Sequence, residues 1–165
     1  MRLLPPLALC LAATAAQAAP KHTIQVDPLT TALGFVHLQF ERALTDRVSI
    51  YVGPHLRLFN SLLSDDDEPY KGYGAELGVR LFFRPTAPEG PWVQMRGVAA
   101  HLTLDDGDDT AFGGYVSGLG GWTWIFDEQW VLAAGLGVQY LHYAIGDLGP
   151  KGVFPAMHTT IGYAF

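Results

Sequence analysis

Apolar and other side chains alternate along most of the chain, in repeated segments of 10 to 16 residues separated by turn-forming residues. In "GYGAELGVRLFF" (72–83), Tyr73, Ala75, Leu77, Val79, Leu81 and Phe83 share one face. Gly74, Glu76, Gly78 and Arg80 share the other, with Phe82 as a misfit. In "RVSIYVGPHLRLF" (47–59), Val48, Ile50, Val52, Pro54, Leu56 and Leu58 oppose Ser49, Tyr51, Gly53, His55 and Arg57. In "FVHLQFER" (35–42), Val36, Leu38 and Phe40 oppose His37, Gln39 and Glu41. "WVLAAGLGVQYLHY" (130–143) sets Trp130, Leu132, Leu136, Val138 and Tyr140 against Gly135, Gly137, Gln139 and Tyr143. The last segment sets Met157, Thr159, Ile161, Tyr163 and Phe165 against His158, Thr160, Gly162 and Ala164. A period of two means extended strands, each with one apolar face. Two further segments are mixed. Residues 92–104 put Gln94 and Arg96 on one face but mix both faces later, and 111–126 carry aromatic residues on both faces near the end, which leaves the register of 111–126 open.

A water-soluble sandwich also alternates, but its polar face is solvated and would be rich in Lys, Glu, Thr and Asn. Here the polar faces hold glycines, tyrosines and a few Arg, Glu, His and Gln, while charge gathers in the connections. An apolar outer wall around a narrow polar interior accounts for both facts. The expectation is therefore an all-β, eight-stranded antiparallel up-and-down transmembrane β-barrel. Beyond the N-terminal segment no window of about 18 apolar residues offers a membrane-spanning helix.

Connection lengths orient the strands. Short turns fall at 44–47, 85–90 and 127–129, and longer, more acidic loops at 61–71, 105–110 and 146–151. Outer-membrane barrels keep short turns in the periplasm and long loops outside. Seven strands then run from residue 32 to Phe165. Bacterial single-chain barrels have an even number, so "HTIQVD" (22–27) is expected to supply a short first strand and "PLTT" the turn after it. Ile24 and Val26 would face out, and Thr23, Gln25 and Asp27 in. Tyr163 and Phe165 would close the last strand as an aromatic assembly signal for the barrel-assembly machinery.

The N-terminus reads as a leader. "MRLLPPLALCLAATAAQAAP" has a positive charge at Arg2, an apolar run and a small-x-small site at Ala16 to Ala18, the pattern of a cleaved secretory signal peptide (1–18). A lipoprotein signal built on Cys10 fits worse, because Leu9 stands where a small residue is expected. Cleavage after Ala18 leaves 147 residues, 19–165, as one barrel domain. The only cysteine, Cys10, leaves with the leader, so no disulfide or cysteine metal site is expected. Net charge moves from −6 to −7 with the loss of Arg2, which argues against a nucleic-acid partner. The expected location is the outer membrane of a Gram-negative envelope, with outer-membrane lipids and lipopolysaccharide as surroundings and the chain as a monomer.

The segments "LQFERALTDRVSIYVGP", "GYGAELGVRLFF", "APEGPWV", "GGWTWIF" and "FPAMHTTIGYAF" resemble, in order and spacing, the small OmpA-like and OmpX-like eight-stranded barrels. More closely, the chain is similar to an uncharacterised bacterial outer-membrane barrel family carrying a domain-of-unknown-function label. The resemblance implies fold and location, and no activity.

Three constellations could carry chemistry. Glu41, Glu76, Arg57, Arg80 and Arg96 point inward, with His37, His55 and Gln94. They form either a polar pore or, more readily, a salt-bridged plug, since eight strands enclose a space that side chains fill and buried charges must be paired. A plug makes Glu76→Ala costly, by about 3–5 kcal/mol. The second, "YLHYAIGDLG" (140–149), resembles lipid A deacylase barrels, where a His-x-Ser pair faces outward. Here the position two beyond His142 is Ala144, so the nucleophile is missing and no catalytic residue is assigned. The third comprises Asp65, Asp66, Asp67 and Glu68, and Asp105, Asp106, Asp108 and Asp109. These oxygen donors suit Ca²⁺ or Mg²⁺ but match no complete calcium loop, so solvated loops are the simpler reading. No phosphate loop, zinc motif or cofactor site is expected. The functional expectation is a non-enzymatic barrel with a structural or surface-interaction role through its acidic loops. A narrow pore for small solutes and a lipid A-modifying enzyme are the alternatives.

Overall fold

Alternation along the chain becomes eight strands and one short helix in the computed structural model, which describes residues 20–57, 70–104, 109–145 and 149–165. In order they are β1 (His22–Val26), α1 (Pro28–Ala32), β2 (Phe35–Ala43), β3 (Val48–Arg57), β4 (Tyr70–Phe82), β5 (Gly90–Leu104), β6 (Thr110–Phe126), β7 (Trp130–His142) and β8 (Lys151–Ala164). Each strand pairs antiparallel with the next, and β8 pairs with β1, so the sheet closes into an up-and-down barrel. The leader, with Arg2 and Cys10, lies outside the described residues, as do Leu58, Asp65, Asp66, Asp67, Glu68, Asp105, Asp106 and Asp108.

One end, the turn end, holds the β2–β3, β4–β5 and β6–β7 turns and both barrel-closing termini. There His22 N–H donates to Phe165 O (3.0 Å) and Phe165 N–H to His22 O (2.8 Å). The β6–β7 turn has Asp127 and Glu128 at φ 52° and 58°, with Gln129 N–H donating to Phe126 O at 3.0 Å. Two residues of positive φ match the right-handed twist of the flanking strands, although glutamate is a poor occupant of that conformation. The opposite end, the loop end, carries the longer connections.

The wall separates polarity in the reverse of a water-soluble core. Outward side chains are apolar and exposed, with Met95 at 76%, Leu136 at 66% and Leu77 at 54%. Inward ones include Glu41, Arg80 and His55, each at 0%. The inward and outward assignments of β2, β3, β4, β7 and β8 all hold. β5 turns Trp92, Gln94, Arg96, Val98, Ala100 and Leu102 inward, and β6 turns Tyr115, Ser117, Leu119 and Thr123 inward, which fixes the register of 111–126 that periodicity left open. Phe82 is no misfit. It keeps the inward parity of Arg80 and packs with Trp92, Leu119 and Ala156 in an apolar cluster toward the turn end. A second apolar cluster, Ala100, Leu102, Tyr143 and Ile145, sits at the loop end.

The β1–β2 connection is not the simple turn expected of "PLTT". Asp27 accepts from the N–H groups of Leu29 and Thr30, both at 3.0 Å, and Pro28 opens α1. An aspartate cap followed by proline starts a helix because it satisfies the free first-turn donors while proline lacks one. β1 therefore stops at Val26, opposite Leu38 and Ile161, whereas β8 continues back to Lys151. α1 takes over that stretch of wall, touching both β2 and β8.

Candidate functional site

The polar lumen is built from alternate residues of every strand except β7. The two-residue period sends Thr23 and Gln25 (β1), His37 and Glu41 (β2), Ser49 and His55 (β3), Glu76 and Arg80 (β4), and His158 and Thr160 (β8) inward, all within 1% of full burial. They resolve into two networks.

The network nearer the turn end centres on Arg80. Its Nη1 donates to Glu41 Oε2 at 2.7 Å, its Nε to Gln94 Oε1 at 2.7 Å, and its Nη2 lies 2.6 Å from His158 Nε2. The guanidinium is held between the rings of Tyr51 and Trp92, 5.0 and 4.9 Å from their centroids. Glu41 also accepts from Gln25 Nε2 (2.8 Å), Thr23 Oγ1 (3.4 Å) and Ser49 Oγ. Trp92 fits inside so narrow a barrel because Gly121 and Gly135 face it. A Cβ at either would lie 2.5 Å from the indole.

The network nearer the loop end is a file. Glu76 Oε2 meets His37 Nδ1 at 2.9 Å, His37 Nε2 meets His55 Nδ1 at 3.1 Å, and His55 Nε2 meets the Tyr143 hydroxyl at 3.2 Å. Beside it Arg96 donates from Nε to Ser117 Oγ at 3.3 Å and stacks over Tyr115 at 5.1 Å. Arg57 lies over Phe35 at 5.3 Å. Tyr143 follows the end of β7. Burial pushes its phenol up to about 12, with Arg57 acting in the opposite direction. Several buried polar atoms of the lumen have no hydrogen-bond partner among the described residues, among them Glu76 Oε1, Arg96 Nη1, the Tyr51 hydroxyl and both amide atoms of Gln39.

Every lumen residue singled out from the sequence, Glu41, Arg57, Glu76, Arg80, Arg96, His37, His55 and Gln94, is buried inside the barrel. The pairing is more selective than a general salt-bridge plug. Arg80 pairs with Glu41, whereas Glu76 is bonded to a histidine. Strand parity put Thr23, Gln25, Ser49, Tyr51 and Thr160 on the inward faces, and they are buried there, but it did not assign them to the network; the inward Trp92 was not read from the sequence.

The other candidates are dispersed. His142 is exposed on the outer wall, opposite Lys151 and Gly114. Asp109 is exposed, its carbonyl accepting from Leu104 N–H at 3.1 Å. Among the described residues no group of three His, Cys, Asp or Glu could hold a metal ion. Tyr163 and Phe165 face outward, with Phe165 stacked on His22 at 5.7 Å. Compared with known families, residues 5–148 match the one described as "Protein of unknown function (DUF3575)". No curated protein and no solved structure matches.

Proposed function

The chain belongs to the DUF3575 family, whose description carries no activity, and from its residues we propose that it is an integral outer-membrane β-barrel without enzymatic activity. Its role is structural or that of an interaction surface, through acidic loops on the cell exterior. The observation that carries this reading is the inverted polarity: a closed wall of exposed Leu, Val, Met and aromatic side chains around buried Glu–Arg and Glu–His pairs. Such a wall in water would expose far more contiguous apolar surface than soluble monomers do.

Dimensions agree. Outward Tyr73 and Phe83 bound the apolar run of β4, and outward Trp130 and Tyr140 that of β7. Ten residues at about 3.3 Å each, tilted by about 40°, rise roughly 25 Å, the height of the apolar band of outer-membrane barrels. Trp122, Trp124, Trp130, Tyr163 and Phe165 gather at the turn end, where an aromatic girdle belongs. The leader and short turns orient that end toward the periplasm.

The lumen favours a plug over a pore. A water-wide passage would expose the charges it ran past, and Glu41 and Arg80 are at 0%. Expression of the full chain in a Gram-negative host, with envelope fractionation and N-terminal sequencing, tests the location; the expected product starts at Ala19 in the outer-membrane fraction. Recovery in a soluble fraction would contradict it. Planar-bilayer recording tests the plug: stable single-channel steps would favour the narrow pore. Release of an acyl chain from lipid A would favour the enzyme, although Ala144 stands where the serine of a His-x-Ser pair would follow His142.

A further inference from the structure

We propose that α1 is a lateral hatch, a removable section of the barrel wall latched by Asp27, that opens the loop-end half of the lumen sideways to an alkyl chain of the bilayer. The inference rests on the membrane reading above.

Three features of one seam carry it. First, the ladder between β1 and β8 ends at Val26 and Ile161, roughly 10 Å above the turn-end rim for a tilted strand. That height is the middle of the apolar band rather than its edge. Beyond it, among the described residues, no strand pairs with β8 on this side.

Second, α1 is hydrogen-bonded to itself. Thr31 N–H donates to Asp27 O at 3.2 Å, Leu33 N–H to Thr30 O at 3.1 Å and Gly34 N–H to Thr31 O at 3.0 Å. The Thr31 hydroxyl donates to Asp27 O at 2.7 Å. Backbone exposed to lipid must satisfy its own polar groups, and a helical turn does so whether or not it touches its neighbours. None of its residues is buried.

Third, the seam is closed by a side chain and cannot zip as a sheet. Asp27, at 0% exposure, reaches across to Thr159, accepting from its N–H at 3.3 Å and its hydroxyl at 3.0 Å. The residue that would continue the ladder opposite Thr159 is Pro28, which has no N–H to give. Odd-numbered residues of β8 turn their backbone toward β1, as the Phe165–His22 bonds show, so the missing N–H of Pro155 falls on the same seam. Proline on a strand edge blocks pairing. Two prolines and one aspartate thus make an edge that opens without breaking a ladder.

Behind the seam the lumen lining is apolar, as an alkyl chain would require. Phe35 packs on the loop-end cluster of Leu102, Tyr143 and Ile145. Leu102, in that cluster, is at 0% exposure, so it is out of reach while the seam is shut.

The test uses mature protein refolded into phosphatidylcholine vesicles with a single reporter cysteine, Leu102→Cys. N-dodecylmaleimide, which partitions into the bilayer, and a charged, membrane-impermeant maleimide are compared. With the latch intact the alkyl reagent should react slowly. Asp27→Ala should accelerate it, and an Asp27→Cys/Thr159→Cys disulfide formed beforehand should abolish the reaction. Should Asp27→Ala lose the heat-shifted gel band of a folded barrel, Thr159→Val removes only the hydroxyl of the latch and should accelerate labelling less. Alkyl labelling indifferent to the latch and the lock, or labelling by the charged reagent alone, overturns the hatch while leaving the membrane reading intact. A folded protein that stays in solution beside the vesicles overturns both.

Discussion

Removing the charge of Glu41 while keeping its shape should be among the most damaging single changes in the lumen. In Glu41→Gln the Arg80 guanidinium stays where it is, between Tyr51 and Trp92 and fully buried. Its 2.7 Å carboxylate partner is gone, and the amide nitrogen presents hydrogens either where Arg80, Gln25 and Thr23 present theirs, at the Oε2 position, or where Ser49 does, at the Oε1 position. An exposed ion pair would be worth about 0–1 kcal/mol. A buried one costs about 3–5 kcal/mol to break, because the remaining charge is stranded. We expect Glu41→Gln and Arg80→Met each to lose about 3–5 kcal/mol. The double variant, which strands no charge, should lose well under the sum, leaving a coupling of about 2 kcal/mol, within the range for contacting residues. Urea unfolding in detergent micelles, followed by tryptophan fluorescence and the heat-dependent gel shift, reads all three. A Glu41→Gln loss below about 0.5 kcal/mol, the scale of a neutral surface change, would refute the reasoning, as would strict additivity.

Two further changes test the packing and the turn. Gly135→Ala puts a methyl 2.5 Å from the Trp92 indole, which is walled in on all sides. We expect a loss of about 1–3 kcal/mol from overpacking and an altered near-ultraviolet circular dichroism signal; an unchanged spectrum and stability would mean that Trp92 has room. Glu128→Gly relieves a left-handed glutamate (φ 58°), a strain of about 1–2 kcal/mol, against about 0.4–1 kcal/mol of added unfolded-chain entropy, and should stabilise the barrel by about 0.5–1 kcal/mol, measured in the same unfolding experiment; destabilisation would show that the turn is not strained.

Strand parity carried most of the architecture. Placing Glu76 and Arg80 on one face of β4 needs only the count of two, and the same count placed Phe82 inward, where its greasiness made it look wrong. Parity does not say who meets whom. Glu41 and Arg80 are 39 residues apart, and Arg80 and His158 are 78. Their meeting depends on strand stagger and barrel closure, which periodicity does not encode. So Glu76 could be read as buried but not as the partner of His37. α1 is a different case. Asp27 followed by Pro28 is a helix-start signal, and reading "PLTT" as a plain turn overlooked it because so short a helix gives no hydrophobic period.

The inside-out wall can be tested residue by residue in vesicles of lipids brominated deep in their acyl chains. Two single-tryptophan proteins are needed, one retaining only Trp92 and one carrying only Leu136→Trp. Both residues lie on neighbouring stretches of wall, but Trp92 is 1% exposed and Leu136 is 66% exposed on the outside. The account predicts strong quenching of Leu136→Trp and little of Trp92. A folded protein in which neither tryptophan is quenched, or in which Trp92 is quenched as strongly as Leu136→Trp, would contradict it.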